Sequence, residues 1–328
     1  MKILFHGSNA TQFRDGFEAG LNAPQTHTIR CVSDDLDKPG ERESFAEADI
    51  IIGIRLRAGD PVPTALRLYQ APAAGTDAID TSCLPAQAAL CNCFGHEAAI
   101  AEYVFAALLA RHVPLIEADK QLRRGQWDFW AGRPGALRSE LGAATLGLIG
   151  FGHIGRMLAE RGRAFGMKVN VMNRTRPDTA LAFDEYFPMQ ARDAFMASAD
   201  YIVVTLPLLD STRGLVGARE FAAMRPGAVI VNVGRGAVID EAALYAALRE
   251  RRIGGAIIDT WYRYPAAGEA EAEPSQFAFR ELDNVVMTPH MSGWTAGTVR
   301  RRQQAMAENI NRLDASKPLI NIVRAPLA

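Results

Sequence analysis

Six residues near the middle of the chain, Gly150-Phe151-Gly152-His153-Ile154-Gly155, have the composition and spacing of a phosphate cradle. Such a cradle uses glycine for three separate reasons. The first makes a tight turn, the second lets backbone approach an anion, and the third lets a helix pack close on a strand. His153 and Ile154 then open a helix whose unpaired N–H groups and positive dipole end face the anion. The apolar run Thr145 to Ile149 reads as the strand before the turn, and Ile154 to Phe165 as the helix after it. Strand, glycine turn and helix in that order form the pyrophosphate corner of a dinucleotide-binding unit. A second stretch bears on which dinucleotide. The next strand ordinarily ends in an acid that binds the ribose hydroxyls. Here that end, 18 residues past Gly155, is Asn173-Arg174-Thr175-Arg176. An asparagine does not repel a 2′-phosphate, two arginines can bind it, and Thr175 adds a hydroxyl. The stretch therefore points to NADP(H), with NAD(H) as the second choice and a plain solvated basic turn as the bland alternative.

The rest of the chain must position these groups. Its 328 residues suggest about two domains, and 48% hydrophobic content is enough for a substantial core. A net charge of −1 supports neither a nucleic-acid nor an anionic-membrane partner. No apolar run has the length of a membrane span, and no signal peptide is read at Met1 to Phe5, so the expected location is cytoplasmic. Cys91-Asn92-Cys93 has no second ligand pair nearby and reads as buried thiols, not as a metal site.

Candidate strands at Ile3 to Phe5, His27 to Val32, Asp49 to Ile54, Leu66 to Gln70 and Ala89 to Cys93 alternate with helices expected at Phe13 to Gly20 and Glu41 to Glu47. This alternation predicts a parallel sheet covered on both faces. A long apolar helix from about Glu97 to Arg111 breaks at Pro114 and resumes to Gly125. Six further strands, at 145–149, 168–172, 200–205, 228–233, 255–258 and 284–288, fit two mononucleotide-binding halves. A last helix, about Thr295 to Ala315, is expected to pack back on the first domain. Residues Ala266 to Glu273 read as a surface insertion. The expected fold is α/β with two Rossmann-like, doubly wound parallel-sheet domains. A flavodoxin-like substrate domain comprises residues 1–94 and 291–328, and a dinucleotide-binding domain comprises 95–290.

Four stretches in order resemble the D-2-hydroxyacid dehydrogenase family, in particular its NADP-preferring glyoxylate/hydroxypyruvate reductases. They are the glycine motif, Val231 to Asp240 with Gly234-Arg235-Gly236, Gly255 to Trp261, and Thr288-Pro289-His290-Met291-Ser292-Gly293. Gly53 to Arg57 and Ala74 to Asp77 resemble the family's two substrate loops. The resemblance implies hydride transfer between NAD(P)(H) and a small 2-oxo or 2-hydroxy acid, in a homodimer formed through the 97–125 region. It makes His290 the proton donor, a role suited to imidazole near neutral pH. It makes Arg235 the oxo-acid ligand, whose planar fork can hold a carboxylate and polarise a carbonyl. Arg55, Leu56 and Gly75 fall on substrate positions, with backbone N–H groups at Leu56 and Gly75 as carboxylate donors. Leu206, Pro207 and Thr212 fall along the cofactor, as do Val233, Gly234, Asp259 and Gly293, with Asp259 near the nicotinamide.

The family's glutamate partner for the catalytic histidine falls at Tyr264, five residues past Asp259. A phenol can orient an imidazole but is neutral at pH 7. The reading therefore expects a more acidic optimum for oxo-acid reduction, with Glu269, Glu271 or Glu273 as alternative partners. Formate dehydrogenases also lack the acid, and Ser292-Gly293 resembles theirs, but their asparagine falls at His96 here. His96 is then a second candidate near the substrate. The alternatives are formate-dehydrogenase-like oxidation of another small acid and a nucleotide-sensing protein without turnover.

Overall fold

The structure is a computed structural model that describes residues 1–328 except 179–182, 267, 268, 270 and 328. The surface insertion expected at Ala266 to Glu273 lies partly outside the described residues. The chain divides into two compact units, Met1–His96 with Thr295–Ala328, and Glu97–Trp294.

In chain order the strands are β1 (Lys2–His6), β2 (Thr28–Val32), β3 (Ile50–Gly53), β4 (Leu68–Gln70), β5 (Ala89–Cys91), β6 (Thr145–Ile149), β7 (Lys168–Met172), β8 (Glu185–Phe187), β9 (Tyr201–Val204), β10 (Val229–Asn232), β11 (Gly255–Ile258), β12 (Val285–Met287) and β13 (Ile322–Arg324). The first unit's sheet has the order β13-β5-β4-β3-β1-β2. It is parallel except where β13 pairs antiparallel with β5. Cys91 and Cys93 are buried in its core. The helix Ala296–Asp314 closes that core, packing Met306, Ala307 and Ile310 against the cluster of Phe5, Phe13 and Phe17. Its buried Asn309 donates to Gln70 at 2.9 Å. The helix expected at Phe13 to Gly20 is instead a 3₁₀ turn, Phe17–Gly20, while the helix stands earlier at Gly7–Thr11. Gly16, with φ +73°, takes the chain out of right-handed helix between the two apolar anchors Phe13 and Phe17.

The second unit carries a sheet of order β12-β11-β10-β9-β6-β7-β8, all parallel. Both faces are covered, so its strands read as continuous apolar runs and not as alternations. In β9, Ile202 and Val204 join Phe195 and Phe221 in one layer, while Tyr201 and Val203 join Val104 and Phe105 in the other. The chain order reverses between β6 and β9. That reversal opens a crevice beyond the strands' C-terminal ends, where open α/β sheets bind ligands. Among the described residues no single helix is long and apolar enough to cross a membrane.

His6 ends β1 almost fully buried, its ring edge-on to Phe45 at 5.0 Å between centroids. Burial holds its imidazole below the ordinary histidine value of 6.5. The unfolded chain therefore takes up a proton below about pH 6.5 that the folded unit resists, and stability falls as pH falls through that range. In urea unfolding at pH 7.5 and 5.5, His6→Phe is expected to lose less stability on acidification than the wild type. Equal losses would contradict this.

Candidate active site

The glycine turn lies at the end of β6. Gly150 has φ +99°, and a Cβ there would stand 2.8 Å from Thr205 Oγ1 and Leu206 Cδ2. A Cβ on Gly155 would stand 2.4 Å from Gly150 O, so the helix His153–Ala164 meets the strand end at a distance only glycine permits. Gly152 has nothing within 4 Å of where a Cβ would be, and both it and His153 are exposed. Open backbone at the start of a 12-residue helix is the cradle a pyrophosphate requires. Ile154 is half-buried beside it.

The loop after β9 closes on itself. Thr212 donates its hydroxyl to Pro207 O at 2.7 Å and accepts from the Leu209 amide at 2.8 Å. A Cβ on Gly234 would stand 2.6 Å from Leu206 O, which brings the loops after β9 and β10 into contact. Val233 is buried with its amide on Val204 O at 3.3 Å, so it supports the turn from below. At the end of β7, the Asn173 side chain donates to Thr175 O at 2.9 Å and shapes the basic turn. The Arg176 guanidinium lies 5.7 Å from the Tyr186 ring centroid and 5.9 Å from that of Phe183. Arg174 and Thr175 are exposed. The two aromatic supports of Arg176 carry no motif and were not picked out from the sequence.

Arg235 follows β10 in a turn clamped by the Asn232 side chain. That side chain accepts from the Gly234 amide and donates to Arg235 O, both at 3.1 Å. A Cβ on Gly236 would stand 2.3 Å from Trp261 O, so this turn packs directly on the segment after β11.

His290 follows β12 in the left-handed region, φ +57°, a conformation that a side chain other than glycine adopts at a cost. Asp259, fully buried, holds the segment there. Its Oδ1 accepts from Thr288 Oγ1 at 2.7 Å and from the Met291 amide at 2.9 Å, and its Oδ2 accepts from the Ser292 amide at 3.0 Å. Gly293 follows directly, half-buried. These three donors are the partners the structure gives Asp259, the residue that the family resemblance sets near the nicotinamide. A carboxylate sealed from solvent and held by three donors anchors the His290 loop. Tyr103 and Thr288 complete the arrangement, their hydroxyls 2.7 Å apart.

Tyr264 Oη lies 2.9 Å from His290 Nδ1 and accepts from the Trp261 amide at 3.1 Å. Trp261 Nε1 in turn donates to Thr288 O at 2.8 Å. Two of the three alternative acids are engaged elsewhere. Glu273 pairs with Arg280, and Glu269 accepts from the Ala266 amide at 3.3 Å. Glu271 lines a cavity of about 760 Å³ with Trp261, Arg263, Tyr264, Thr288 and Pro289. Arg235, Asp259 and His290 thus sit at the C-terminal ends of three adjacent strands.

The first unit holds the other expected site residues. Arg55 donates to Asp34 O and lies 3.3 Å from Asp35 Oδ1, so its guanidinium fastens two loops of its own unit. The Leu56 amide, expected as a carboxylate donor, is already donated to Ala78 O at 3.2 Å, in a bridge that joins Leu56 to Ile79. Gly75 lies half-buried in its turn, and His96 immediately precedes the helix Glu97–His112. Among the described residues no group of three or more His, Cys, Asp or Glu side chains is arranged to hold a metal.

Comparisons with known proteins agree on the class. Residues 105–292 match the model of the D-isomer specific 2-hydroxyacid dehydrogenase NAD-binding domain. The chain belongs to the D-isomer specific 2-hydroxyacid dehydrogenase family, and its two parallel-sheet units have that family's Rossmann-like fold. It is 34% identical over 230 residues to a glyoxylate reductase of Aeropyrum pernix. That match covers 69% of this chain and 66% of the relative, just under two thirds of its length. Among solved structures, a D-isomer specific 2-hydroxyacid dehydrogenase family protein of Aeromonas salmonicida is 26% identical, covers 98% of each chain and superposes with a TM-score of 0.81. An acyclic imino acid reductase, solved with NADPH and D-Arg, is 26% identical over 99% of this chain and 100% of its own, with a TM-score of 0.78.

Proposed function

We propose that this protein reduces small 2-oxo acids to D-2-hydroxy acids, reversibly, with NADP(H) as the preferred cofactor. The observation that carries this reading is the His290–Tyr264 contact on a loop anchored by Asp259, in a chain of this family. When bound, the reduced dinucleotide supplies a hydride to the substrate carbonyl carbon. The Gly150–Gly155 turn and the helix behind it would hold the pyrophosphate, and the loop at Leu206 and Pro207 would flank it. Arg235 binds the oxo-acid carboxylate and polarises the carbonyl, and its charge stabilises the oxygen as it becomes an alkoxide. His290 faces Tyr264 with Nδ1, which leaves Nε2 to give the alkoxide its proton. The phenol fixes the ring's orientation without adding a negative charge. Gly75 and His96 enter as substrate contacts on the family resemblance alone.

The cofactor preference rests on Asn173, which removes the usual acid, and on the paired cations Arg174 and Arg176. Aromatic stacking pre-orders Arg176 for a 2′-phosphate. The partner we propose is a second copy of this chain. Leu115, Ile116, Trp127, Trp130 and Leu137 are 61–98% exposed, apolar side chains that a second copy would cover. Sedimentation velocity should find a dimer; a monomer at every concentration would contradict this. We assign the protein to the cytoplasm.

The function is tested by following NADPH absorbance with glyoxylate, hydroxypyruvate and phenylpyruvate. Turnover of at least one is expected, whereas NADPH binding without any turnover would favour a nucleotide sensor. Arg174→Ala with Arg176→Ala should raise the Michaelis constant for NADPH by about tenfold to a hundredfold, the range for losing charge-assisted hydrogen bonds. It should leave that for NADH nearly unchanged. A wild type with the lower constant for NADH would overturn the cofactor assignment.

A further inference from the structure

The loop carrying His290 has a mechanical problem. It follows β12, a three-residue strand at the sheet edge with a single neighbour, β11. One short ladder is a weak base for a residue held at φ +57°. Asp259 fastens the loop from β11. A second fastening reaches it from the helix Glu97–His112, through Tyr103.

Proton counting gives this fastening a direction. The Asp259 carboxylate can only accept. The one hydroxyl proton of Thr288 therefore goes to Asp259 Oδ1 at 2.7 Å. Thr288 Oγ1 must then accept at its other short contact, and Tyr103 Oη, 2.7 Å away, is the donor. Burial holds the Tyr103 phenol above its ordinary value, against a smaller opposing effect of the Thr288 hydrogen bond and with a further small push from the Asp259 charge, so it keeps the proton it donates. The hydrogen bonds run one way, from Tyr103 through Thr288 to Asp259 Oδ1, the same oxygen that accepts the Met291 amide. Aligned bonds of this kind strengthen one another.

We propose that Tyr103 is a positioning residue for His290, acting through the Thr288 hydroxyl and the Asp259 carboxylate to set the backbone of residues 290–292. Its effect on turnover rests on the proposed role of His290, but its effect on the loop does not.

The experiment compares Tyr103→Phe, Thr288→Val, Thr288→Ser and the Tyr103→Phe/Thr288→Val double variant in the full chain. Two readouts are used: hydrogen exchange of the Met291 and Ser292 amides, and steady-state reduction of an oxo acid with NADPH. Tyr103→Phe and Thr288→Val should each speed exchange at these amides about fivefold or more, as expected for one lost hydrogen bond. They should lower kcat several-fold while the dissociation constant for NADPH stays within twofold. Thr288→Ser should restore both, because it keeps the hydroxyl. The double variant should be little worse than Thr288→Val alone, since the bonds act in series. Unchanged exchange at Met291 and Ser292, a Thr288→Ser as impaired as Thr288→Val, or fully multiplicative losses would overturn the proposal. Should a variant fold poorly, the Thr288→Ser and Tyr103→Phe pair still decides it, as each removes only a methyl or a hydroxyl. If the wild type reduces no oxo acid, the functional reading fails, and exchange alone still tests the relay.

Discussion

The arrangement at the strand ends depends on one buried carboxylate. Asp259 is sealed from water, and a carboxylate in that position must find hydrogen-bond donors or leave a large solvation cost uncompensated. It finds three, from Thr288, Met291 and Ser292, all neutral and all within the segment that carries His290. The acid at the end of β11 therefore dictates the backbone after β12, including the left-handed conformation of His290. Packing enforces the neighbouring turn in the same way, because Gly236 has no room for a side chain against Trp261 O. The site is assembled by adjacent strand ends that satisfy or sterically constrain one another, which is how an open α/β sheet can hold several functional groups without a dedicated core.

The partner of His290 distinguishes this chain from the usual pattern of its family. A carboxylate beside an imidazole orients it and also favours its charged form. A phenol does the first without the second. Here Tyr264 Oη accepts from the Trp261 amide and meets Nδ1 at 2.9 Å, so the ring has a fixed partner on that nitrogen. In the proposed function, what changes is the electrostatics of the proton that Nε2 would deliver.

Much of this was legible in the sequence. The glycine motif, the strands of the second unit and the basic turn at Asn173 are local patterns, and local patterns survive into structure. The Tyr264–His290 contact was legible because Pro265 keeps the register against Asp259. The losses have physical reasons. The edge strands β8 and β13 are too short to show a strand period, and neither was anticipated. The helix expected through Phe13 and Phe17 has the right spacing of apolar residues, but Gly16 breaks it. The pairing of the Leu56 amide with Ala78 O was not legible because it crosses a loop whose path sequence does not specify. The donors that hold Asp259 were not legible because they lie about thirty residues away in sequence, and Tyr103 sits far from any motif.

In the proposed function a neutral phenol, not a carboxylate, partners the proton donor. The most direct test is the pH profile of kcat/KM for NADPH-driven oxo-acid reduction by the wild type and by Tyr264→Glu. A carboxylate at that position would favour the charged imidazole, so the acid form of His290 would persist to higher pH. The profile of the variant is predicted to extend about one unit or more further toward alkaline pH than that of the wild type. Superimposable profiles would contradict the account.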